Sequence, residues 1–263
     1  MVDDKPEPKP ELSGIRAIYF DLDDTLCGYW DASKEGLQKA FERHGPEGHH
    51  VLDLVKHWAA AFRKFAPTLK HTGWYEGYLQ NAEPSRTEQM RLTLERLGIH
   101  DPERASLLSQ AYMEERDRAL RLFSDAISVI EALRTRYPLG LITNGPADIQ
   151  RQEVATLNIE QYFPNIFIEG EMGEGKPLKA VFDRAAAAVG FESHEMLMVG
   201  NSYGHDIRGA LENGWHAIWI RRDSDVPPSA NGESLVPEAL PVGAPQPDAT
   251  ISELSELLPL LGL

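Results

Sequence analysis

From Leu139 onward the chain alternates short apolar runs with helix-length stretches, and this constrains the fold more than any other feature. Leu139–Thr143, Ile166–Glu169, Met196–Val199 and Ala217–Arg221 read as strands. Helices are expected to begin near Pro146 and near Pro177, and to run over Asp206–Asn213. A further apolar run, Ile15–Phe20, lies far upstream. Short β-branched and aromatic runs without polar interruption are the mark of strands buried on both faces. Strand–helix–strand alternation predicts a parallel sheet with right-handed crossovers.

Between the first strand and the others the pattern changes. Lys34–His44, Val51–Phe65, Arg86–Leu97 and Arg104–Leu122 carry apolar residues at i, i+3 and i+4, separated by turn clusters such as His44-Gly45-Pro46. No strand pattern interrupts them. The expected organisation is an all-helical insertion over residues 28–128 in a sheet domain built from residues 14–27 and 129–263. Residues 1–13, with Pro6, Pro8 and Pro10 among charges, read as a disordered leader. Residues 223–247 hold six prolines and read as an irregular surface excursion, and Asp248–Leu260 as a closing helix.

Composition narrows the function classes. The 263 residues include 26 basic and 41 acidic side chains, a net charge of −15, which opposes nonspecific binding to nucleic acid or anionic membrane. No apolar run approaches the length of a membrane span, and the first residues show no secretory signal pattern. A single cysteine, Cys27, rules out an intrachain disulfide and argues against a cysteine-based zinc site. A cytoplasmic location is therefore expected.

The chemistry-bearing residues sit where apolar runs stop. Asp21 and Asp23 follow the first strand, and in an open α/β sheet ligands bind beyond the carboxyl ends of strands. Two nearby carboxylates can divide nucleophilic and proton-transfer work or hold a hard cation. They can also simply shape a turn, and spacing alone leaves these readings equal. Thr143-Asn144-Gly145 offers a hydroxyl and backbone N–H groups at a helix start, an anion site or an ordinary polar turn. Lys176 precedes Pro177 and a helix, and Gly200-Asn201-Ser202 with Asp206 follows another strand.

Taken in order, these segments resemble the haloacid dehalogenase-like superfamily. Asp21-Leu22-Asp23-Asp24-Thr25-Leu26 resembles its first motif, Asp-x-Asp-x-Thr-(Leu/Val). Leu141-Ile142-Thr143, Lys176-Pro177 and Gly200-Asn201-Ser202 with Asp206 resemble the other three, so the likeness spans roughly residues 15–222. The resemblance implies a Rossmann-like parallel sheet flanked by helices, with the insertion as a helical C1 cap. It implies a Mg²⁺-dependent phosphatase acting on a small phosphate monoester, as a monomer or homodimer. Asp21 would be the nucleophile and Asp23 the acid and base. Thr143, Asn144 and Lys176 would bind phosphate, and Asp21, Asp23 and Asn201 or Asp206 would hold the metal. Asn201 departs from the pattern, which has an acid there. An amide oxygen still coordinates but brings no charge, so weaker metal binding or a larger share for Asp206 is expected.

Other activities on the same fold compete. A haloacid dehalogenase lacks the second acid of the first motif, so Asp23 argues against it. A sugar-phosphate mutase keeps all four motifs. A non-catalytic binding module on a decayed scaffold rests on Asn201 alone. Trp74, Tyr75, Tyr78, Tyr29 and Trp30 are expected mostly to pack within the insertion, with a pocket-lining role as the alternative.

Overall fold

A computed structural model describes Leu12 and residues 14–263; the remainder of the expected leader lies outside the described residues. Six parallel strands form one sheet: β1 Ala17–Phe20, β2 Leu139–Thr143, β3 Asn165–Ile168, β4 Met196–Gly200, β5 His216–Ile220 and β6 Ala249–Ile251. Their order is β3-β2-β1-β4-β5-β6. The order reverses between β1 and β4, so a crevice opens at their carboxyl ends, where Asp21 and Asn201 lie.

Side chains alternate across the sheet with the period of two that a strand imposes. Ile18, Phe20, Leu197, Val199, Ile218 and Ile220 face one core, shared with Val129, Ile130 and Leu133. Ala17, Tyr19, Met196, Met198, Ala217 and Trp219 face the other, shared with Phe182 and Ala185.

The insertion contains α1 Tyr29–His44, α2 Val51–Phe65, α3 Tyr75–Gln80, α4 Glu83–Glu95 and α5 Pro102–Ala119. Leu37, Phe41, Leu54, Trp58, Met90, Leu94 and Leu108 give it a core of its own. A Cβ on Gly36 would sit 2.8 Å from the Arg116 backbone nitrogen, so the missing side chain lets α1 and α5 touch. The chain leaves and rejoins the sheet through two paired segments. Gly28 N–H donates to the Arg121 carbonyl at 3.1 Å and Phe123 N–H to the Leu26 carbonyl at 2.9 Å. The next helix, α6 Ala126–Leu133, already packs on the sheet. We therefore propose that the insertion ends near Arg121 rather than at 128.

The remaining helices are α7 Ala147–Thr156, α8 Glu169–Met172, α9 Lys179–Val189, α10 Arg208–Glu212 and α11 Leu257–Leu260. The helix expected from Asp206 is preceded by a wide π-type turn over Tyr203–Ile207. The expected closing helix is a larger departure. Residues 249–251 form the edge strand β6, and helix returns only with a 3-10 turn over Leu254–Glu256 that leads into α11. Asp248 causes this: its N–H donates to the Ala217 carbonyl at 2.9 Å and its Oδ2 accepts from Ala217 N–H at 2.8 Å, docking the segment on β5. No helix among the described residues is long and apolar enough to cross a membrane.

Gly140 on β2 tests the sheet packing. A Cβ there would lie 2.1 Å from the Tyr19 ring, which is buried and anchored by its hydroxyl to the Ala185 carbonyl at 3.0 Å. Gly140→Ala should lower unfolding free energy in urea by about 1–3 kcal/mol. An unchanged denaturation midpoint would mean that Tyr19 moves freely, against this packing.

Candidate active site

The first strand delivers Asp21 to the crevice, where its N–H donates to the Val199 carbonyl at 2.9 Å. Its carboxylate is buried, and Oδ1 accepts from Lys176 Nζ at 2.6 Å. The same ammonium donates to the Ile142 carbonyl at 2.6 Å and meets Asp206 Oδ1 at 2.6 Å as a charge contact outside hydrogen-bond alignment. One cation thus ties together the ends of β1, β2 and the turn after β4. Burial opposes the Lys176 charge, but Asp206 and Asp21 outweigh it and hold the ammonium above its usual range. Burial pushes Asp21 up, Lys176 pulls it back, and Asp206 adds to the rise.

Asp206 uses both oxygens locally, since its Oδ2 accepts the Ser202 N–H at 2.9 Å. The larger metal-binding share anticipated for it meets this competition. Asn144 also has local duties. Its Nδ2 donates to the Lys176 carbonyl and its Oδ1 accepts the Lys176 N–H, both at 2.8 Å. Asn144 therefore holds the lysine loop by its backbone. Thr143 is buried, with its hydroxyl donating to Gln150 Oε1 at 2.6 Å.

Asp23 occupies a different setting. Its Oδ2 accepts from Gln150 Nε2 at 3.0 Å, and that amide also donates to Glu153 Oε2 at 2.9 Å. Glu153 is fully buried and pairs with Arg116 of α5 at 2.8 Å. Burial first, and the Asp21 charge second, push Asp23 up to about 6. Burial and Asp23 push Glu153 up as well. Sequence reasoning missed Gln150, Glu153 and Arg116. The first two stand three apart on α7 and look like the solvated face of an amphipathic helix.

The other residues near the first motif have structural places. Asp24 is buried with φ 55°, and its Oδ1 accepts the Trp30 N–H at the start of α1. Burial, then the nearby Asp225 charge, push its acid up to about 9. Cys27 is buried against the Leu22 carbonyl. His205 Nδ1 lies 3.1 Å from Ser202 Oγ.

A hard cation fits the remaining donors. Thr25 Oγ1 lies 3.3 Å from Asp21 Oδ2 and 3.3 Å from Asn201 Oδ1. One hydroxyl hydrogen serves one acceptor at a time, so a lone pair is left over among these oxygens, away from Lys176. Such an all-oxygen setting suits Mg²⁺, which keeps several of its waters. Among the described residues no cluster of three or more His, Cys, Asp or Glu has metal-binding form, so an ion here would depend on amide and backbone oxygens as well.

Above these residues lies a cavity of about 400 Å³ between sheet and insertion. Asp23, Asn144, Gly145, Glu169 and His205 form its floor, and α1, α2, α3, α4 and α5 its walls. Tyr29, Trp30, Tyr75 and Tyr78 line it, the alternative role for that cluster, while Trp30 also packs against the insertion core as expected. Only Trp74 stays outside, 40% exposed and edge-on to Phe65. The insertion is a wall rather than a closed bundle, so its aromatic side chains face the gap. Lys70, Arg86 and Arg116 bring positive charge into a chain whose net charge is −15.

The family model described as haloacid dehalogenase-like hydrolase matches residues 18–220. The chain belongs to this family. Phosphoserine phosphatase of Thermus thermophilus is 32% identical over 224 residues, covering 79% of this chain and 89% of that protein. N-acylneuraminate-9-phosphatase of Rattus norvegicus is 25% identical over 251 residues, 95% of each chain. Among solved structures, the HAD-hydrolase YfnB from Bacillus subtilis, bound to magnesium, aligns with a TM-score of 0.69 at 21% identity, over 95% of this chain and 99% of that one. A 2-haloacid dehalogenase from Pseudomonas syringae aligns with a TM-score of 0.59 at 25% identity, over 94% and 98%.

One contact at the site reaches beyond the four motifs. Asn201 Nδ2 donates to Asp225 Oδ2 at 2.9 Å, and Asp225 belongs to the proline-rich stretch after β5. That stretch is therefore more than a surface excursion. Glu238 accepts the Tyr203 N–H at 3.0 Å, and the Pro245 carbonyl accepts the Tyr203 hydroxyl at 2.8 Å.

Proposed function

We propose that this family member is a Mg²⁺-dependent phosphatase that hydrolyses a small phosphate monoester through an aspartyl-phosphate on Asp21. The observation that carries the reading is the pairing of two unlike carboxyl groups. Asp21 accepts from the Lys176 ammonium, while Asp23, among neutral amide and acidic neighbours, opens on the cavity; burial pushes both acids up to about 6, so their partners and not their acidity set them apart. Different settings for two nearby acids divide nucleophile from proton carrier.

In this reading the Asp21 carboxylate bonds to phosphorus as the bond to the leaving alcohol oxygen breaks. Asp23 gives its proton to that oxygen, then takes one from the water that cleaves the acyl phosphate. Lys176 offsets charge where two anions meet, and Asp206 keeps Lys176 in place. Thr143 and Asn144 would hold phosphoryl oxygens by exchanging their bonds to Gln150 Oε1 and the Lys176 carbonyl for them, while the Gly145 N–H stays on Glu169 Oε2 at 3.0 Å. Asp21, the Asp23 carbonyl and Asn201 would hold the ion, which supplies further charge neutralisation. The cavity size supports a small-molecule substrate. So do relatives named for phosphoserine, N-acylneuraminate 9-phosphate and glyceraldehyde 3-phosphate. We place the protein in the cytoplasm as a monomer or homodimer.

Purified protein assayed on p-nitrophenyl phosphate and a panel of sugar, amino-acid and nucleoside phosphates should release phosphate with Mg²⁺. EDTA should abolish the release and added Mg²⁺ restore it. Full activity in EDTA, or chloride release from 2-chloropropionate without phosphate release from any ester, would refute the reading. Phosphate moved within a substrate rather than freed would identify a mutase instead.

A further inference from the structure

Asn201 carries no charge, and its two amide ends face different neighbours. An asparagine amide has a donor end and an acceptor end, and a half-turn exchanges them. Nδ2 faces Asp225 Oδ2 at 2.9 Å, and Oδ1 faces Thr25 Oγ1 at 3.3 Å, on the side of Asp21 Oδ2. A carboxylate accepts but does not donate, so the reversed amide would set oxygen against oxygen at Asp225. That contact decides which end of Asn201 is turned toward Asp21. Asp225 itself is held by the turn after β5, where its N–H donates to the Arg222 carbonyl at 3.1 Å, and by Lys34 Nζ on the neighbouring Ser224 carbonyl at 3.4 Å. Among the described residues no cation lies within ion-pair distance of its carboxylate; burial opposes its charge, and Lys34 favours it from further away.

We propose that Asp225 is a positioning residue for the cation: it locks the Asn201 oxygen toward Asp21 and returns to the site the negative charge that an acid at position 201 would have carried. This rests on the phosphatase reading above. The first motif and the turn after β4 are then completed by a residue 24 positions further along the chain.

The test is Mn²⁺ binding to the full chain without substrate, followed by electron paramagnetic resonance of free Mn²⁺. Wild type, Asp225→Asn, and the double variant Asn201→Asp/Asp225→Asn are compared, with thermal unfolding as a check on folding. Asp225→Asn should weaken binding about 10- to 100-fold, as loss of partners behind metal ligands does. The double variant should return to within about threefold of wild type, because the charge now sits at position 201 itself. A loop merely loosened by the first substitution would not be repaired by the second. Wild-type affinity in Asp225→Asn, or a double variant as weak as the single, overturns the assignment. Wild-type protein that neither binds Mn²⁺ nor hydrolyses any phosphate ester with it would overturn the phosphatase reading, and this inference with it.

Discussion

Asp21→Asn should abolish phosphate-ester hydrolysis while leaving the protein folded. The substitution keeps side-chain shape and removes the attacking charge. Lys176 retains the Asp206 carboxylate and the Ile142 carbonyl, both at 2.6 Å, so its ammonium is not stranded. Loss of a covalent nucleophile costs on the order of 10⁴-fold or more in kcat. Acid-quenched wild-type enzyme should carry base-labile phosphate after incubation with labelled substrate, and the variant should carry none. A variant rate within tenfold of wild type, at unchanged thermal midpoint, would show that another group attacks phosphorus.

Lys176→Met should be the most destabilising change at the site. The lysine is buried and contacts both Asp21 and Asp206, whose carboxylates are buried as well. Methionine fills similar space but leaves two acidic groups close together without a cation. Removing one partner from a buried ion cluster costs about 3–5 kcal/mol. Urea unfolding followed by circular dichroism measures this. Turnover of the folded fraction should fall on the order of 10²- to 10³-fold, since a charge aimed at the phosphoryl group is gone. A second substitution, Lys176→Met with Asp206→Asn, should recover part of the stability and none of the rate. Equal stability of Lys176→Met and wild type would mean that the three charges are not coupled as their distances imply.

The two substitutions separate chemistry from architecture. Asp21 lies where β1 ends, and its backbone is held by β4, so its loss changes reactivity more than fold. Lys176 bridges three strand ends, so its loss changes both. The strain expected at Gly140 is of another kind, because it sits in the packed layer beneath the sheet rather than among the charges.

Much of this architecture could be read directly from the residues. Four strands of the main run fell within a residue of their observed limits, since apolar runs and polar stops are local signals. The residues that end β1, β2 and β4 stood in the expected order, and the fold brought Asp21, Lys176 and Asp206 into contact. The edge strand β6 escaped because three residues carry no usable period, and their pairing depends on Asp248 meeting Ala217 across 31 positions. The cavity-lining side of the aromatic cluster was not legible, because helical spacing tells which side chains share a face, not whether another helix covers that face.

The sequence by itself determined where five of the six strands lie, which acids follow them, and that a long helical segment interrupts the sheet. Hydrophobic period and turn chemistry are properties of neighbouring residues, so they need no partner to be visible. Only the tertiary structure decided that Asp206 faces a lysine, that Gln150 and Glu153 turn inward to Asp23, and that Asp225 stands behind Asn201. Each of those contacts joins segments that share no pattern. Their geometry is set by how the sheet twists and how the insertion folds back, which no local window contains.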